Sequence, residues 1–104
     1  MANADQLLAQ LLDLSQHLYA LASRGEWDEV VKLEGERREL IQACFTPDAS
    51  FEDPQATVQQ IQKIMDIDAR VMELGGKART EAAQALSDIQ RGRQAVSAYD
   101  KAGR

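Results

Sequence analysis

The three residues Arg24-Gly25-Glu26 constrain this chain more than any other feature. They separate two stretches of helical periodicity by a connection so short that the flanking helices must lie antiparallel as neighbours. The stretch from Leu18 to Ile41 therefore reads as the end of one helix, a tight turn, and a second helix opened by Trp27, the only tryptophan. Gly25 can adopt the left-handed conformation that ends the first helix. Every later segment meets a two-helix platform.

Helix 1 is expected from an N-cap at Asn3 to about Ser23, with Gln6 completing a capping box. Leu7, Leu11, Leu14, Leu18 and Leu21 recur at spacings of three and four, which is one face of a helix. Helix 2 is expected from about Glu26 to Phe45, with Asp28 and Glu29 placed well for the helix dipole. Its apolar positions cover about half of a helical wheel, wider than one neighbour needs. Glu34 and Arg37 fall inside that arc and are three apart, so they can pair, either at the boundary of the core or as a polar marker in a binding groove. Pro47 stops helix 2, and Asp53-Pro54 restarts the pattern as N-cap and first helical residue. Phe51, in the loop between them, is expected to fold against the end of the bundle.

From Pro54 to about Tyr99 a heptad seam runs without a change of phase, from Ile61, Ile64, Asp68 and Val71 to Ile89, Gly92, Val96 and Tyr99. The two halves differ. Met65, Ile67, Met72 and Leu74 broaden the first, whereas alanine dominates the second. Gly75-Gly76 and Arg91-Gly92-Arg93 are the weak points. A kink at the glycine pair, a short fourth helix after Gly92 and a disordered tail over residues 100–104 are expectations of this reading, as is fraying at Met1 and Ala2. Length adds a constraint. Helices 1 and 2 would each be about 30 Å long and an unbroken third helix about 70 Å, so the platform can cover only half of it. The uncovered stripe can fold back, pair with a second copy as a homodimer, or hold a client.

The fold class is thus all-α: an antiparallel helical hairpin packed on a long third helix, a three-helix bundle in one domain over residues 1–104. Composition narrows the function. A formal net charge of −5 repels phosphate and argues against nucleic acid. No apolar run approaches the roughly 20 residues of a membrane span. The N-terminus shows no secretory signal, and the single Cys44 suits a reducing compartment, so the expected location is cytoplasmic. One His and one Cys cannot make a usual metal cluster. His17 reads as a surface residue and Cys44 as a small core residue. Asp66 and Asp68 point to different sides of a helix. An enzyme, a metal and a cofactor are therefore not expected.

The stretch Leu18, Leu21, Ala22, Arg24, Gly25, Glu26, Trp27 and Asp28, followed by Leu33, Glu34, Arg37, Leu40 and Ile41, resembles the FliT family of small bacterial flagellar proteins. A weaker similarity covers Ile61 to Asp68 and the end, Ala98-Tyr99 with Gly103-Arg104. The resemblance implies a helical chaperone of flagellar type III export. Its typical client is the filament-cap protein FliD, held by that protein's C-terminal segment. It also implies contact with export-apparatus components and, in some bacteria, with the FlhD–FlhC regulator. Family members commonly carry a fourth, C-terminal helix that can cover the client surface; this chain departs from that pattern by ending soon after Tyr99. With periodicity and the family's binding mode taken together, Val31, Leu40, Ile61, Ile64, Met65, Val71 and Met72 are the expected residues lining or bordering a helix-in-groove client site.

Overall fold

The structure is a computed structural model that describes residues 3–103. The expectations for Met1, Ala2 and Arg104 fall outside the described residues. Three helices follow in order: α1 over Ala4–Ser23, α2 over Trp27–Cys44 and α3 over Pro54–Ala102. The chain divides into two compact units, one ending at Leu74 and the other beginning at Gly75.

Both ends of α1 and the start of α3 have a local cause. The Gln6 amide donates to Asn3 Oδ1 at 2.8 Å, and the Asn3 amide donates back to Gln6 Oε1 at 3.1 Å. This is the capping box read from the sequence. At the other end of α1, the Gly25 amide donates to the Ala22 carbonyl and the Glu26 amide reaches back to the Leu21 carbonyl at 3.0 Å. Those two bonds form a Schellman motif, which needs a left-handed residue after the cap. Gly25 supplies it with φ of 74°. Gly25→Ala meets no steric neighbour but strains that backbone, and is expected to lower stability by about 1–2 kcal/mol in a urea titration.

The loop after α2 is tied down at both sides. Its Glu52 amide donates to the Asp5 carboxylate at 3.2 Å. Phe51 packs into the lower core, with its ring 6.1 Å from that of Phe45. The Asp53 carboxylate then accepts from the Gln55 and Ala56 amides and opens α3 behind Pro54.

The core of the first unit comes in two apolar layers. Near the turn, Leu18, Leu21, Ala22 and Val30 close around Val71, with Trp27, Leu33, Ile67 and Leu74 at the edge. Toward the other end, Leu8, Leu11 and Cys44 close around Ile64, bordered by Leu40, Ile41, Phe51 and Ile61. The order of these residues makes α3 antiparallel to α2 over residues 54–74. Cys44 is fully buried and its thiol reaches the Ala4 carbonyl, as a small core residue would. Burial and the nearby Asp5 carboxylate push the thiol's pKa up, away from reactivity.

The expectation of a separate fourth helix after Gly92 is corrected. α3 is helical through Gly75-Gly76 and Gly92, with no separate fourth helix, and residues 100–102 are its last turn. The two glycines cost about 2 kcal/mol against alanine. Strong helix formers on both sides, among them Met72, Glu73, Leu74, Lys77, Ala78 and Arg79, offset it. Among the described residues only Gly25 has a positive φ.

Candidate functional site

Between the two apolar layers lies a polar one. Arg37 of α2 donates through Nη2 to the Asp68 carboxylate of α3, and its Nη1 lies 3.6 Å from Glu34. Ser15 of α1, between the two groups of leucines, is fully buried. Its hydroxyl and Arg37 Nε are buried side-chain atoms without a hydrogen-bond partner. Burial pushes the Asp68 carboxyl pKa up. Arg37 pulls it down by charge and hydrogen bonding, and Glu34 pushes it up again. The net direction is upward, so desolvation outweighs the pairing. The boundary pairing of Glu34 and Arg37 is present, but the stronger partner is Asp68, 31 residues away.

This bond also orients α3. Asp68 lies three residues after Met65 and four before Met72, which makes the three neighbours on the helix surface. Because Asp68 reaches α2, Met65 and Met72 border the α2–α3 seam. Both are exposed, Met72 at 74%. Val58 is exposed as well, and it stands seven residues before Met65 as Met65 stands before Met72. Three large apolar side chains thus form one stripe along α3.

The seven expected site residues separate by depth. Ile64 and Val71 are buried, one in each core layer. Leu40 and Ile61 are half-buried at the edge of the lower layer. Met65, Met72 and Val31 stand exposed, the last at 72% on α2. Two residues went unselected in the sequence. Val58 was legible from its seven-residue spacing. Gly35 is a glycine in the middle of α2, where a Cβ would meet nothing within 4 Å. Nothing inside the chain requires a glycine at that position.

Among the described residues no group of three or more His, Cys, Asp or Glu side chains could hold a metal ion, and no helix is long and apolar enough to cross a membrane. The first unit is a helical bundle that exposes an apolar stripe on α3. The family model described as "Flagellar protein FliT" matches residues 5–101, and the chain belongs to the FliT family, a family of flagellar export chaperones. Neither the curated proteins nor the solved structures contain a match to it.

Proposed function

We propose that this protein is a cytoplasmic chaperone that binds the C-terminal segment of the filament-cap protein FliD and holds it for export. The observation that carries the reading is the exposed stripe Val58, Met65 and Met72 beside the α2–α3 seam, on a chain of the FliT family. An amphipathic client helix would lay its apolar face along the stripe and reach toward Val31, over a floor of half-buried Leu40 and Ile61. Ile64 and Val71 support that floor from the core. Methionine suits the task because its flexible thioether repacks against differing side chains.

Co-purification with the cap protein tests the reading, run with and without that protein's C-terminal segment. Capture is expected only with the segment present. Met72→Glu is expected to weaken capture by at least about tenfold with helicity and melting temperature retained. Capture unchanged by the charge would remove Met72 from the site, and a lost fold would place it in the core. Gly35→Ala is the control, because Gly35 lies two residues from Arg37 and so on a different face of α2 from the seam. It should stabilise the free protein by about 0.5–1 kcal/mol and leave capture unchanged.

A further inference from the structure

The bond between Arg37 and Asp68 fixes the level of α2 against α3. The two helices run antiparallel here. Glu34, one turn before Arg37, therefore stands level with Val71 and Met72, one turn after Asp68. Its charge reaches Asp68, so it faces α3. Seven-residue spacing puts Trp27, Glu34 and Ile41 on one stripe of α2, as it puts Val58, Met65 and Met72 on one stripe of α3. Trp27, Glu34 and Ile41 are all half-buried. A carboxylate thus interrupts an otherwise apolar wall.

The charges in that wall do not balance. Arg37 is shared: Nη2 donates to Asp68, while Nη1 stands 3.6 Å from Glu34. Two carboxylates and one guanidinium leave one negative charge. Arg37 is committed to Asp68 and is 20% exposed, whereas Glu34 is 37% exposed and so forms the part of the cluster that opens on the seam. Among the described residues Arg37 is the ion-pair partner of Glu34. The nearby Arg38 is exposed and shares the outer stripe of α2 with Val31, seven residues before it.

We propose that the segment held along the seam is a helix with a lysine or arginine beside its apolar face, and that this cation sits on Glu34 next to Met72. The proposal rests on the reading that the seam holds a helical client, and not on that client being the cap protein. An apolar stripe alone accepts any amphipathic helix, so it gives affinity without selecting a partner. A charge half withdrawn from water selects. A client acid placed there meets like charge, and a client apolar group strips water from Glu34 with nothing in exchange. A cation restores the balance, and its methylene stem covers Met72. The field of the unit draws such a segment in, because residues 1–74 hold fourteen acidic and six basic side chains.

The test uses two synthetic helical peptides about five turns long with the same leucine stripe, flanked in one by lysine and in the other by glutamate. Fluorescence anisotropy reads their binding to the full chain. The lysine peptide is expected to bind at least about tenfold more tightly at low salt. Glu34→Gln should cut that preference to about threefold or less, with helicity and melting temperature retained. Asp68→Asn should cut it as well, because Arg37 is then free for Glu34. Asp13→Asn removes the same charge from the exposed side of α1 and should leave the preference within about twofold of the natural value. Glu34→Lys should reverse the preference, a gain that an unfolded variant could not give. Binding of neither peptide, equal binding of both, a preference undiminished by Glu34→Gln, or one that Asp13→Asn lowers as much would each overturn the proposal. The peptides share no sequence with the cap protein. Capture of that protein can therefore fail while the preference stands, and the preference can fail while capture stands.

Discussion

Arg37→Met is expected to lower the unfolding free energy by about 2 kcal/mol, and Arg37→Met with Asp68→Leu to recover it and exceed the natural protein by about 1 kcal/mol. The single change strands a carboxylate that is 24% exposed, next to Glu34 and without its cation. Partial access to water keeps the cost below that of a fully buried pair. The double change removes both charges, and leucine at 68 joins Ile64 and Val71 in an unbroken apolar seam. The raised Asp68 pKa gives the pH dependence. A carboxyl that holds its proton more tightly when folded contributes stability below the ordinary aspartate range and loses it as pH rises through the folded pKa. The natural protein should therefore gain on an Asp68→Asn variant as pH falls through the carboxylate range. Urea unfolding at a series of pH values reads all three variants. A double variant weaker than Arg37→Met would show that the pair outweighs the apolar contacts replacing it.

Leu18→Ala should cost about 3 kcal/mol, while Leu86→Ala should stay within about 0.5 kcal/mol. Leu18 is almost wholly buried among Leu21, Val30 and Val71, so its loss leaves a cavity that the helices cannot close. Leu86 stands exposed on the second unit. In thermal melts the first change should lower the midpoint by roughly 15 °C and the second by little. Equal losses would contradict the division into a packed part and an open one.

Both predictions rest on features that differ in how plainly the sequence carries them. Helix ends were legible because their causes are local: Asn3 with Gln6, Gly25, and Asp53 with Pro54 each act over three or four residues. The leucine face of α1 was legible for the same reason. Continuity of α3 was not, because a glycine pair signals a weak point without weighing the neighbours that hold it together. Depth was not legible either. Ile64 and Met65 are adjacent and equally apolar in a sequence, yet one fills the core and the other stands at the surface. Arg37 and Asp68 show a third limit, since nothing local connects residues 31 apart. The pair became visible only once α2 and α3 were placed side by side.

The turn at Gly25 also bears on the order of assembly. It joins α1 to α2 through so few residues that their pairing closes a short loop, at small entropic cost. α3 must instead be brought back across the nine-residue connection from Phe45 to Asp53. The hairpin can thus form while the chain is still being synthesised, before Pro54 is available to dock. Its turn is therefore expected in the folding nucleus, so that Gly25→Ala shows its cost chiefly as slower folding in stopped-flow measurements. Losses at Val71, whose contacts form later, should show as faster unfolding. A bundle assembled in that order presents its third helix last, so the Met65 and Met72 stripe comes into being at the final step.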